Sequence, residues 1–511
     1  VNVKGIVLEA KSREREERFK AQKRHAIGGT VLGTKEATLP LPSAGKVKRY
    51  ILTSAQNNTR LHAPTWNALK ALAEHYDAEI IVGTFSYDQN KFREMSVKRG
   101  KVKPLEEKMW YDSQLEPYIQ DKRLVLATGL VWCGEMNILP TQMNPLTSLE
   151  TYSARKSAIF PHAKMAMRSV PAMLGEPAKL NFTTGTVTQR NYVQKRFGLI
   201  AEFHHVYGAL LVEVNHNGNW WVRQLNCDAS GAIQDLDVVA RGSLVTTGHR
   251  VEAITWGDLH STIADEKVVE LSLDMLDALR PKFQFLHDVL EGASINRHVI
   301  KIGAKNAPHY AFYRWLRGLH RVEEEFHKSK AVIEKYLRPW CETIAPDANH
   351  DGWWLKSWLA RYDYRVDPAN SELFLDLQTW FYRQIRDGKM PRDVNLMQYA
   401  FEKFGLKGVR FLVPDESFRI CRNQIECGMH GHLGPGGSRG TPDRLSKMGR
   451  KANIAHTHTA GIYDGLYVAG TSSKLKWDYN IGPSSWSHSH VVTYPNGKRA
   501  IVTMFAGRWR A

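Results

Sequence analysis

Cysteine is scarce: Cys133, Cys227, Cys341, Cys421 and Cys427 are the only five in 511 residues. The number is odd, the spacing is wide and no C-x-x-C occurs, which argues against a disulfide framework and against a cysteine zinc site. Five buried free thiols in a reducing cytoplasm are the expectation. Long apolar runs are missing as well. No stretch of about 18 apolar residues occurs, so no segment reads as a membrane span, and the N-terminus has no apolar signal-peptide core. There is no internal repeat and no low-complexity tract. Acidic residues are in deficit, with 52 Asp plus Glu against 70 Lys plus Arg, giving a net charge of +18. That surplus sets up a long-range field favouring polyanionic partners, with DNA foremost. A hydrophobic content of 43% is enough for a sizeable core and, at this length, for two domains.

Residues 1–45 read as a basic lead-in. Its stretch Ser12–His25 mixes charges at helical spacing and predicts a solvated helix, with a DNA-contacting arm as the alternative. Residues 46–245 read as an α/β domain for substrate binding or oligomerisation. Arg49–Thr53, Thr65–His75 and Glu79–Val82 form a β-α-β pattern. Leu124–Thr128 is a further strand, and Ala209–Glu213 with Trp220–Gln224 predicts a hairpin. The polar segments Ser54–Thr59 and Thr183–Arg190 could cradle phosphate or be ordinary turns. The boundary falls near Arg241–Ser243. Residues 246–511 form the second unit, with a helical insertion at about 300–340.

The chemistry concentrates in that second unit. A strand runs into Gly257 and ends in Asp258 and His260, two apart on extended chain and able to face one side. A carboxylate with an imidazole suits a borderline cation. A helix over roughly Thr262–Leu279 leads to an apolar strand, 281–286, which ends at His287-Asp288. Parallel strands joined this way are usually neighbours, so the two strand ends should meet. Asp288 could also be a plain helix N-cap. Asn349, His350 and Asp351 follow a third strand. Asn349 offers a neutral oxygen, His350 a proton donor, and Asp351 a carboxylate to orient it. His430 and His432 follow a fourth strand. His456 and His458 repeat the two-residue spacing at the end of a fifth.

In order, D-x-H, Asp, N-H-D, H-G-H and H-x-H resemble the calcineurin-like metallophosphoesterase superfamily, which includes the SbcD-type repair nucleases. The match spans Asp258 to His458. The resemblance implies an α/β fold class: a C-terminal metallophosphoesterase β-sandwich flanked by helices, carrying a helical insertion beside a separate N-terminal α/β domain. It implies two divalent metal ions, Mn²⁺ first, with Zn²⁺, Fe²⁺ or Ni²⁺ open. One would take Asp258, His260, Asp288 and His458. The other would take Asp288, Asn349, His430 and His456. His350 would act as general acid or transition-state stabiliser. The family has Gly where His287 stands, which leaves Asp288 the least secure ligand. Thr53–Thr59, Phe203–Gly208 and Gly431–Gly440 further resemble a phage-encoded branch, the pre-early proteins of certain siphophages linked to breakdown of host DNA.

The expected function is therefore a two-metal phosphodiesterase, a deoxyribonuclease of the host cytoplasm, working as a homo-oligomer or with an accessory phage protein. Arg297, His298, His432 and Arg439 are candidate substrate contacts. Arg314, Arg317, Arg321, Lys328, Lys330 and Lys335, interleaved with Tyr310 and Trp315, suit a DNA backbone. Trp315 is expected to pack on the core, and so is the pair Trp353-Trp354. Two alternatives stand beside the nuclease: a small-molecule phosphoesterase and a non-catalytic DNA-binding regulator.

Overall fold

The computed structural model describes residues 36–87, 95–98, 101–104, 110–173, 175–295, 309–477 and 480–511. The stretch Ser12–His25 and the candidate contacts Arg297 and His298 lie outside them. The architecture is mixed α/β, built on several sheets.

A six-stranded sheet carries the second unit. Its order is Val409–Phe411, Glu342–Ala345, Phe283–Phe285, Ala253–Thr255, Ser489–Thr493 and Arg499–Thr503. The first four strands are parallel and the last two antiparallel. Alternation decides what each face meets, because successive side chains point to opposite sides of a strand. Ile254, Val492, Ala500 and Val502 enter a core with the helices Glu266–Leu279, Val322–Tyr336, Trp354–Arg361, Ser371–Arg386 and Leu396–Lys403. Ala253, Val491 and Ile501 point the other way, toward a second sheet. Helix Glu266–Leu279 starts where the Asp265 carboxylate accepts from the amides of Lys267 and Val268, a regular N-cap.

The helical content is larger than expected. Beyond the insertion at 300–340, three helices lie between residues 354 and 403. Trp315 does not pack on the core. It is exposed, with Phe312 and Leu316 exposed beside it. The tryptophan pair divides, Trp354 buried and Trp353 exposed.

In the N-terminal half, strands Val47–Gln56 and Ala78–Phe85 are parallel and joined by helix Ala63–Tyr76, as the β-α-β pattern predicts. Gly208–Asn215 and Trp220–Asn226 form the hairpin. Together they make a four-stranded sheet. Its last strand lies beside the six-stranded sheet: the Ile501 amide donates to Gln224 Oε1 at 2.7 Å, and Asn226 Nδ2 to the Arg499 carbonyl at 2.9 Å. The polar segments at Ser54 and Thr183 are knitted to each other. Ser54 Oγ donates to the Gly185 carbonyl, Thr186 Oγ1 to the Ser54 carbonyl, and the Gln56 amide to Thr188 Oγ1. With those hydroxyls buried and engaged, the segments are structural seams and not phosphate cradles.

The second sheet has eleven strands and does not stop at residue 245. From the N-terminal half it takes Ala37–Thr38, Arg123–Ala127, Leu130–Cys133, Ser157–Phe160, Lys179–Thr183 and Met167–Val170. It continues through Gly461–Tyr463, Leu466–Val468, Lys451–Ile454, Ile425–Glu426 and Arg419–Ile420. The seam is antiparallel, with Met167 opposite Ile462 and Arg168 opposite Gly461. One core mixes residues from both halves: Tyr50, Leu52, Ile159 and Leu210 meet Ala455, Ile462, Val491 and Ile501. The halves expected to be separate thus share a sheet and a hydrophobic core. All five cysteines are buried and free.

Candidate metal centre

Strand ends bring the motif residues together. Ala253–Thr255 and Phe283–Phe285 are paired in parallel register, so Asp258 and Asp288 leave the sheet at one edge. Glu342–Ala345 is the next parallel strand and delivers Asn349 and His350. Lys451–Ile454, from the facing sheet, delivers His456 and His458.

The loops then turn sharply inward. His260, Asp288, His456 and His458 have φ of 41°, 43°, 73° and 56°. That left-handed region costs a non-glycine residue about 1–3 kcal/mol. Four such residues at one place mark a backbone held by its surroundings to aim side chains at a common point. Asp288 is therefore no helix cap: its loop runs on through residues 289–291 without helical structure.

The distances define three groups. Asp258, His260 and His458 place one ligand atom each within 4.8 Å of one another, and so do Asp288, His430 and His456, and His260, Glu291 and His350. Each group is one that could hold a metal ion. Asp288 stands between the first two. Its Oδ2 lies 3.2 Å from His430 Nε2 and 3.9 Å from His260 Nε2. Asn349 Oδ1 is 3.1 Å from the same His430 nitrogen.

The donors fit cations better than they fit each other. His260 Nε2 and His458 Nε2 face across 3.1 Å. Asp258 Oδ2 is buried 2.9 Å from His458 Nε2, yet it accepts no hydrogen bond among the described residues. Buried polar atoms are nearly always partnered, so this orphan oxygen points to an ion. The charge balance agrees. Burial, then the nearby Asp288, pushes the Asp258 carboxyl well up. Burial presses on Asp288 too, but His430 and His350 outweigh it and hold that carboxyl down. Burial lowers His456 and His458 to about 4, and holds His260 and His430 well below the ordinary imidazole value. Neutral imidazoles with free lone pairs are what metal ligation requires.

The supporting residues differ from the sequence reading. Asp351, read as orienting His350, does not touch that ring. Its carboxylate accepts from the amides of Val289 and Leu290 at 3.1 and 2.9 Å, so it pins the loop that presents Asp288. His350 is oriented by Glu291, whose carbonyl lies 2.7 Å from Nδ1. The His350 amide donates to Asp288 Oδ1 at 3.0 Å. Glu291 Oε2 also comes within 3.0 Å of His260 Nδ1. His432 flanks the centre, its ring 5.4 Å from that of His430. Arg439 sits exposed on the following loop.

Sequence reasoning missed Glu291 and His287. The only local signal for Glu291 was its position three residues after Asp288. His287 is buried, and its Nδ1 lies 3.2 Å from His430 Nδ1. His430 turns Nε2 toward Asp288 and Asn349; with Nε2 ligating a cation, its Nδ1 would carry the ring proton and His287 would accept it, fixing the tautomer. Partners of this kind are worth about 10–100-fold in metal affinity. Accordingly, His287→Phe should weaken Mn²⁺ binding about tenfold by calorimetry, and His287→Gln, which keeps an acceptor, should recover most of it. Unchanged affinity in the Phe variant would remove His287 from the centre.

Two tryptophans wall the first group. Trp477 lies 4.6 Å from His260 and 5.1 Å from His458 between ring centroids, and Trp486 lies 4.3 Å from His458.

No protein-family model matches the chain. Protein A1 of Escherichia phage T5 is 36% identical to it over 481 residues, an alignment covering 91% of this chain and 83% of that protein. At that identity and coverage, the protein belongs to the family of phage T5 Protein A1.

Proposed function

We propose that the chain is a two-metal phosphodiesterase of the calcineurin-like superfamily, acting as a DNA nuclease in phage-directed breakdown of host DNA in the host cytoplasm. One observation carries the reading: the groups Asp258/His260/His458 and Asp288/His430/His456 stand side by side with Asp288 between them. A six-stranded and an eleven-stranded sheet facing each other, with helices on the outer face of the first, support the superfamily's β-sandwich layout.

Asp258, His260, Asp288 and His458 would hold one cation, and Asp288, Asn349, His430 and His456 the other. Oxygen and imidazole donors without thiolate suit Mn²⁺ first, then Zn²⁺, Fe²⁺ or Ni²⁺. Bound divalent cations supply Lewis acidity toward phosphoryl oxygens and lower the pKa of water. The rest falls to the chain. His350 Nδ1–H is committed to the Glu291 carbonyl, which leaves Nε2 to hold a proton for the departing oxygen. The Glu291 carbonyl sets the His350 ring, Asp351 holds the Asp288 loop, and Trp477 and Trp486 keep water from one side of the cage. The net charge of +18 draws a polyanion to it.

Incubation with Mn²⁺ and linear DNA, circular DNA or bis-p-nitrophenyl phosphate tests the reading. Cleavage of DNA is expected, and His350→Ala should slow it by about 10²–10⁴-fold with cation binding retained. Turnover of only the small ester would replace the nuclease with a small-molecule phosphoesterase. DNA binding without cleavage under every divalent metal would leave a regulatory protein.

A further inference from the structure

Behind the tryptophan wall lies a cavity of about 690 Å³, within the range of about 300–1,000 Å³ typical of small-ligand sites. It opens between the N-terminal strands and the end of the chain. Its walls are aromatic: Trp220, Trp486 and Phe505 line it. Trp220 and Phe505 lie 6.2 Å apart between ring centroids, tilted by 34°. Lys267 and Lys476 line it with exposed side chains, Lys267 paired with Glu270 at 2.9 Å. Its two carboxylates are already engaged, Asp265 as the helix cap and Glu176 in an ion pair with Arg155.

The cavity adjoins the cage through a single layer of chain. Trp486 lines the cavity and also touches His458. Ser487, the next residue, lines it too and donates its amide to the His458 carbonyl at 3.2 Å. A ligand here would be flat and apolar on its faces, polar at its edges, and attached to negative charge near the metal ligands. A nucleobase on a phosphodiester chain has all of these properties. Base stacking on aromatic side chains is the general device for holding single strands without sequence preference, and cations beside the rings take the phosphates.

We infer that this cavity binds one base of the DNA strand whose backbone passes the metal centre, an assignment that rests on the nuclease reading. The substrate is then a strand with at least one base unpaired near the cut, held by stacking and not by groove recognition.

The test uses the full chain and two variants that leave the cage untouched. Ala178→Trp fills the cavity from its wall, and Trp220→Ala removes a stacking face. Fluorescence anisotropy compares a short single-stranded oligodeoxynucleotide with the same strand carrying abasic residues. Wild type should bind the base-bearing strand about tenfold more tightly. Both variants should bind the two strands alike, with Mn²⁺-dependent hydrolysis of bis-p-nitrophenyl phosphate unchanged. Equal binding of the two strands by wild type overturns the assignment, as does a variant that folds and keeps the preference. A change in sedimentation with the preference intact would also overturn it, in favour of a second copy of this chain as the occupant. Failure of every protein to hydrolyse the small ester would defeat the phosphoesterase reading alone, because the anisotropy does not depend on cleavage.

Discussion

Asp288→Asn should abolish Mn²⁺-dependent hydrolysis, with a loss of at least about a thousandfold, and should do so without unfolding the protein. The substitution preserves shape. It keeps an oxygen for the His350 amide, which donates to Oδ1 at 3.0 Å. What it removes is the charge shared by both groups, since Oδ2 faces His430 and His260 alike. In the metal-free protein the Asp288 carboxylate is held down by His430 and His350, so its loss costs some stability. The metal-free variant should therefore melt somewhat below wild type but still fold, while the stabilisation that added Mn²⁺ gives wild type disappears. Calorimetric titration reads the stoichiometry directly. Two ions bound with wild-type affinity would mean that Asp288 bridges nothing. A change at Asp258 or His458 should damage mainly one group and leave part of the binding isotherm.

The second large effect concerns pH. His162, His205 and His490 lie outside the cage, and burial lowers them from 6.5 to about 4, about 3 and about 3. His162 shows why it stays neutral. Its Nε2–H donates to the Leu139 carbonyl at 3.1 Å, and its Nδ1 accepts from the Lys164 amide at 3.0 Å. A second ring proton would confront that amide. Unfolded, all three bind protons below about pH 6.5; folded, they do not until near pH 4 or below. Stability is thus fully present above pH 6.5 and is lost as pH falls toward 4 and 3. By about pH 4.5 each residue has contributed roughly 3 kcal/mol to that loss, against a total stability of about 5–15 kcal/mol. Metal-free protein should lose most of its stability by about pH 4.5, read by denaturant titration at several pH values. His162→Asn, which retains an acceptor and cannot be charged, should flatten the dependence. A flat profile in wild type would show that these imidazoles are neutral for no energetic reason.

Much of the centre was legible because its logic is local. Asp258 and His260, and again His456 and His458, are two apart at strand ends, so chain geometry alone puts each pair on one side. The β-α-β at Val47–Phe85 was legible for the same reason, since alternation and a helical period lie within forty positions. What escaped reading was non-local or contrary to local preference. Nothing around Met167 announces Ile462 as its neighbour. Glu291 looked like an ordinary surface carboxylate until the fold buried it beside His260 and His350. His287 stood where glycine was expected and read as a defect, yet it faces His430. Trp315 obeyed helical spacing and still faces outward. The left-handed turns at His260, Asp288, His456 and His458 defy residue preference, because they answer to the convergence of the ligands and not to the chain beside them.

The seam in the eleven-stranded sheet has a consequence for how the protein is made. Arg168 Nη1 donates to the Ile462 carbonyl across 294 positions of chain. A ribosome adding about 5–20 residues per second needs roughly 15–60 s to cover that interval. Throughout that time the nascent strand Met167–Val170 presents a bare edge, the kind of surface that recruits strangers. Synthesis in a crowded cell should therefore lean on chaperones until strand Gly461–Tyr463 emerges to cover that edge.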